Sequence, residues 1–105
     1  MIRHCVFIRF RPEISPAERA DILGEISSLT DRIAGLIAVH VGGNVSPEVG
    51  MDKGYADGFI ADFTDAAARD AYLVHPEHQQ AGARIVAAAV GGVEGVLVYD
   101  LQADD

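Results

Sequence analysis

Residues 71 to 80 read AYLVHPEHQQ, and this stretch gathers side chains suited to proton chemistry. Tyr72 is a phenol, a neutral donor for an oxygen that gains negative charge. His75 and His78 stand on either side of Pro76, although the chain has only four histidines. Imidazole titrates closest to neutrality of all side chains, so it serves as base or acid. Proline disfavours helical geometry at the residue before it. A helix ending here can therefore be followed by a new one that starts at Pro76, with His75 as its cap. His78 then falls in the first turn, where the positive end of the helix dipole favours its neutral, proton-accepting form. Proton removal beside a carbonyl needs such a base, His78, and a donor for the developing oxyanion, Tyr72.

Each of these residues also has an ordinary structural use. His78 reads equally as a solvated first-turn residue beside Glu77. His75 reads as a cap rather than a catalyst. An aromatic where a helix meets a sheet, such as Tyr72, is commonly core with its hydroxyl tied to a neighbour. His4, on the apolar face of the first segment, is either a hydrogen-bonded core histidine or a wall of the same cavity. Asp57 is placed to orient one of the imidazoles through a carboxylate contact. His40 reads as structural or exposed. A metal held by His75 and His78, with Asp57 or Glu77, is disfavoured: there is no HExxH or cysteine pattern, and the proline breaks the shared helix face. VGGN at 41–44 lacks the spacing of a nucleotide loop. No metal and no cofactor are expected.

The elements that must position these groups follow from period and caps. Residues 2–11 alternate, with Ile2, His4, Val6, Ile8 and Phe10 on one face and Arg3, Cys5, Phe7, Arg9 and Arg11 on the other. Ser15, Pro16 and Glu18 form a capping-box start, and Ile22, Leu23, Ile26, Leu29 and Ile33 continue at helical spacing to a stop at Gly35. Residues 36–41 read as a second strand, 42–54 as a loop rich in turn formers, and 55–63 as a third strand with Tyr55, Asp57, Phe59, Ala61 and Phe63 on one face. Thr64 and Asp65 open the second helix; the segment from Pro76 to about Val90 is the third, stopped by Gly91 and Gly92. Residues 93–101 are the last strand. Strand, helix, strand, strand, helix pair, strand is the ferredoxin-like βαββαβ arrangement: an α+β fold with a four-stranded antiparallel sheet and helices on one face.

One domain, 1–105, is expected from the length. A single cysteine, Cys5, excludes an internal disulfide. The alternating N-terminus is unlike a secretory signal, and no apolar run is long enough to span a bilayer, so a soluble cytoplasmic protein with no membrane partner is expected. The net charge of −8 argues against nucleic acid.

The uncovered sheet face poses a problem. With His4 and Leu97 toward the helices, Cys5, Phe7, Val96 and Val98 face away and form an apolar patch that monomers rarely expose. Packing two such sheets together resolves it. A standard interface of about 800 Å² per partner, at about 25 cal/mol per Å² of apolar area, gives a large driving force, part of which association entropy offsets. The expected partner is a second copy of the chain.

IRHCVFIRFRP at 2–12, VGGNVSPE at 41–48, GYADGFIADFTD at 54–65, AYLVHPEH at 71–78 and VLVYDL at 96–101 resemble the stress-responsive A/B barrel (Dabb) domain family over nearly the whole chain. The resemblance implies a dimeric α+β barrel. The family includes plant polyketide cyclases that close a linear polyketide by intramolecular aldol condensation, stress-associated proteins, and bacterial members without a known role. The cyclase motif corresponds to Tyr72 and His78 here, with His4 as a pocket histidine; a further cyclase histidine is replaced by Asp57. The resemblance thus implies Tyr72 and His78 as catalytic residues, with His4, Asp57, Tyr55 and His75 contacting a small apolar or carbonyl-containing ligand. The alternative is a non-catalytic homodimer in ligand binding or stress response. A cavity beside Tyr72 and His78 separates them: a few hundred Å³ of space suits a ligand, a packed interior a structural role.

Overall fold

The computed structural model describes residues 1–104. Strand β1 (Ile2–Ile8) leads to helix α1 (Pro16–Ser27), a 3₁₀ turn (Ser28–Asp31) and strand β2 (Leu36–Gly43). Strand β3 (Asp57–Phe63), helices α2 (Ala66–Leu73) and α3 (Pro76–Ala88), a 3₁₀ turn (Gly92–Gly95) and strand β4 (Val96–Gln102) complete the chain. The sheet order is β2-β3-β1-β4, all antiparallel, which is the ferredoxin-like arrangement.

Local chemistry explains these elements. In β1 the residues Ile2, His4, Val6 and Ile8 are buried in strict alternation. Ser15 caps α1 by accepting from the Glu18 N–H at 3.1 Å, and the Glu18 side chain closes the capping box. The α1 stripe continues beyond the regular helix, so Leu29 and Ile33 are still buried. Gly35 turns the chain at φ 85°, and a Cβ there would lie 2.5 Å from that of Ala68, so backbone and packing both demand glycine. One face of the sheet packs on the helices; its core includes Ile8, Ile26, Phe63 and Tyr72, the largest fully enclosed side chains. Among the described residues, no helix is long and apolar enough to cross a membrane.

Boundaries differ from the sequence expectation for physical reasons. The β1 ladder ends at Ile8, and beyond it Phe10 makes a lone bridge to Ala89. Strand β2 extends through Gly42 and Gly43, because pairing with Gly58 and Asp57 of β3 overrides the low strand preference of glycine. Strand β3 starts at Asp57, since Tyr55 is still held in a turn by its N–H to the Asp52 carbonyl at 3.0 Å. Gly91 and Gly92 at positive φ and the following 3₁₀ turn delay β4 to Val96.

The faces of β4 are the reverse of those expected. Val98 lies opposite Val6 and Asp100 opposite His4, whereas Leu97 faces Phe7 and Tyr99 faces Cys5. Directly opposed side chains share a face. Val96, Val98 and Asp100 therefore stand on the helix side, and Leu97, Tyr99 and Leu101 on the open side. VLVYDL is apolar at both parities, so only its register with β1 assigns the faces. The expected apolar patch is nevertheless present on the open side: Leu97, Tyr99 and Leu101 are 44%, 60% and 46% exposed.

Candidate functional site

Asp65 starts α2 by accepting from the Ala68 N–H at 2.9 Å, and the helix then presents Arg69 and Tyr72 one turn apart. Pro76 ends this run. His75 adopts an extended backbone, φ −69° and ψ 131°, and its Nδ1 accepts from the Glu77 N–H at 3.2 Å. His75 is therefore the cap of α3, and its Nδ1 is committed to that bond.

The break leaves the last carbonyls of α2 without helical donors. His78 supplies one: its Nδ1 lies 3.3 Å from the Leu73 carbonyl. A carbonyl only accepts, so Nδ1 carries the proton in this contact and Nε2 keeps its lone pair. Burial lowers the His78 pKa below the usual imidazole value; the Leu73 bond raises it in part, and nearby His4 and His75 lower it. The neutral, basic form is favoured.

The Tyr72 ring lies 4.1 Å from that of His78, 5.8 Å from that of His4 and 4.9 Å from that of Phe63, centroid to centroid. Tyr72 is wholly buried, and its hydroxyl has no hydrogen-bond partner among the described residues. Burial drives its pKa far above that of a free phenol, so it remains a neutral donor.

His4 completes the wall. Its Nδ1 meets Asp100 Oδ1 at 2.6 Å, and Arg69 donates to Asp100 Oδ2 at 2.7 Å. Burial pushes the Asp100 carboxyl up, but the bonds from His4 and Arg69 outweigh it and hold the group below the usual carboxylate range. The expected trio of Tyr72, His78 and His4 thus meets in one apolar site, with Phe59 and Phe63 also ringing His4 at 6.4 and 6.3 Å.

Two expected members lie elsewhere. The Asp57 carboxylate pairs with Arg19 at 3.3 Å and touches no imidazole, and Tyr55 lies under the Arg9 guanidinium, 4.8 Å from its ring centroid. Asp57 does share the parity of Phe59 and Ala61, but it stands opposite Ile8 whereas His4 stands opposite Ala61. Four residues of strand separate them, about 13 Å. Asp100 fills the orienting role expected of Asp57. Its signal was a lone carboxylate at the parity of Val96 and Val98. A cavity of about 610 Å³ exists, but it lies on the open face of the sheet rather than beside Tyr72 and His78.

The model of the stress responsive A/B barrel domain matches residues 2–103. Among curated proteins, the chain is similar to the stress-response A/B barrel domain-containing protein HS1 of Arabidopsis thaliana, 26% identical over 99 residues that span 94% of this chain and 86% of that protein. A dimeric ferredoxin-like protein of unknown function from Jannaschia sp. CCS1 superposes with a TM-score of 0.89 at 34% identity, covering 97% of this chain and 98% of that one. Hydroxynitrile lyase from Passiflora edulis shares the fold, with a TM-score of 0.83 at 17% identity over 99% of this chain and 94% of that one.

Proposed function

The chain belongs to the stress-responsive A/B barrel domain family, and from that premise we propose that it is a homodimeric α+β barrel that binds a small apolar carbonyl compound and removes a proton beside the carbonyl. The observation that carries this reading is the enclosed Tyr72 hydroxyl without a partner, next to a neutral His78. A buried unsatisfied hydroxyl costs about 1–3 kcal/mol. A ligand oxygen recovers that loss when it displaces the side chains that enclose Tyr72, which is wholly buried in the free chain.

The chemistry follows from the atoms. The substrate carbonyl oxygen accepts from Tyr72. His78 Nε2 takes the proton from the adjacent carbon, the C–H electron pair becomes an enolate, and charge grows on the oxygen that Tyr72 holds. The high pKa of Tyr72 keeps its proton in place while it donates. The Leu73 carbonyl steadies the imidazolium through Nδ1–H, and His4, set by Asp100 and Arg69, fixes the polar wall. In a cyclase or lyase, the enolate carbon then forms a C–C bond with a second carbonyl, or a leaving group departs, and His78 returns the proton to the product. Second copies join through the open sheet face, as the exposed Leu97, Tyr99 and Leu101 require and as the dimeric Jannaschia relative supports.

The full enclosure of Tyr72 favours a second reading, a dimer that binds ligand or responds to stress without turnover. Exchange of the acidic C–H of a 1,3-diketone into D₂O, followed by NMR, separates the two. Wild-type protein is expected to accelerate exchange, and His78→Ala to abolish the acceleration while remaining dimeric. Exchange that survives in His78→Ala refutes the assignment of the base; binding without exchange in the wild type selects the second reading.

A further inference from the structure

Tyr72 is wholly buried, so a ligand reaches its hydroxyl only after part of its cover has moved. The groups around it differ in how firmly they are held. On the sheet side lie Phe63 of β3 and His4 of β1, in strands that are paired to each other and to further strands on both flanks. On the helix side lies the His78 ring, tilted by 45° to that of Tyr72. His78 belongs to the first turn of α3, and the two halves of α3 are anchored unequally.

The second half, residues 84–88, is fixed from several directions. Ile85 and Ala88 are buried in the core. Arg84 pairs with Asp21 at 2.6 Å and with Glu25, both on α1. The Arg11 N–H donates to the Ala88 carbonyl at 3.0 Å, the Arg11 guanidinium to the Ala87 carbonyl, and the Val90 N–H to the Arg9 carbonyl at 2.7 Å. In the first half, residues 76–81, Ala81 alone is buried. That half is otherwise tied down by the ion pair of Glu77 with Arg32, at the surface, and by the His78 contact to the Leu73 carbonyl at 3.3 Å. Exposed ion pairs contribute little and are screened by salt. Gly82 divides the halves. A Cβ there would meet nothing within 4 Å, so packing does not require glycine, and in mid-helix it is weaker than alanine. The α2–α3 corner beside the loose half exposes Leu73 and Val74, which makes the approach apolar.

We infer that the first half of α3 is a door over the Tyr72–His78 site, hinged at Gly82 and latched by Glu77 on Arg32. It swings out to admit the ligand past Leu73 and Val74, and its closing sets His78 against that ligand. The purpose of the door rests on the reading of the site given above, but its motion is measurable without a ligand. Amide hydrogen exchange of the full chain, followed residue by residue by NMR, tests it. The amides of residues 79–82 are expected to exchange about tenfold or more faster than those of residues 85–88. Arg32→Met should speed the first group alone by about two- to fivefold, as for loss of one exposed ion pair. NaCl at about 1 M should do the same to the wild type and nothing further to Arg32→Met. Gly82→Ala should slow the first group by about three- to fivefold. The association rate of heptane-3,5-dione, from NMR line shapes, should move in the same direction and by similar factors in both variants. Equal exchange in the two halves, or exchange that ignores both substitutions, overturns the hinge. Exchange that responds while association does not reduces the motion to fraying of a helix end and overturns the door. Failure of the diketone to bind strikes the substrate class named for the site, and the exchange contrast then decides the door alone.

Discussion

Each face of the sheet carries the same three residue types in contact. Under the helices, His4, Asp100 and Arg69 form one chain of contacts; on the open face, His40, Asp62 and Arg3 form another. The burial is inverted. The His4 side chain is 5% exposed beneath a half-buried Asp100, while His40 is 60% exposed above a buried Asp62. On the helix side the carboxylate aims an enclosed imidazole at a ring of aromatics. On the open side the imidazole and guanidinium serve the carboxylate, satisfying a buried charge. Identical chemistry thus yields a site wall in one place and a neutralised anchor in the other, and the covering layer makes the difference.

The largest expected effect breaks this symmetry directly. His78→Ala should lower diketone exchange by about 10²–10⁴-fold, the usual contribution of a general base, while His40→Ala leaves it unchanged. The pH dependence gives the sign. Burial lowers the His78 pKa, so its basic form persists to lower pH than a free imidazole, and exchange should rise with pH through a midpoint below about 6.5. A midpoint above that value contradicts the proposed base.

The open face is expected to show its worth in assembly. Tyr99 is 60% exposed in the single chain, opposite Cys5 at the centre of the face. Tyr99→Lys should weaken the dimer by about a hundredfold or more in Kd, as when a charge is placed in the core of an interface. Sedimentation at several concentrations measures this. A dimer of unchanged strength places the interface elsewhere. Asp100→Asn and Asp62→Asn extend the contrast: the first should slow exchange by about tenfold or more through misplacement of His4, the second should leave exchange intact and lower stability by about 1–3 kcal/mol. Because the Asp100 pKa is depressed in the folded state, the stability that its contacts contribute is present above the ordinary carboxylate value and lost as pH falls through the folded one.

How far these two faces were legible in the sequence depends on what periodicity encodes. The strict alternation of 2–8, the Ser15–Pro16–Glu18 start and the His75–Pro76 break each state a local preference that the fold obeys. The topology follows, and so does the meeting of Tyr72, His78 and His4. Alternation states a face but not a distance along it, so Asp57 was grouped with His4 although it lies at the far end of the strand. An evenly apolar strand does not state even its face. Leu97 was expected beside His4, and with that parity Asp100 pointed away from the site it serves. The open-face cavity beside Gly42 and Gly58 depends on cross-strand register, which no single segment encodes.

The smallest expected effect is the sharpest test of what the enclosed phenol is for. Tyr72→Phe removes one oxygen that, in the free protein, is buried and unpaired. Its loss should therefore stabilise the chain, by about 1 kcal/mol of the desolvation penalty, or a rise in Tm of roughly 4–8 °C at this size. The same change should slow diketone exchange by about 10²–10³-fold, as for loss of one oxyanion donor. A core hydroxyl that serves the fold behaves in the opposite way, destabilising when removed. If thermal unfolding shows Tyr72→Phe to be less stable than the wild type, the hydroxyl already has its partner, and it is not waiting for the oxygen of a substrate.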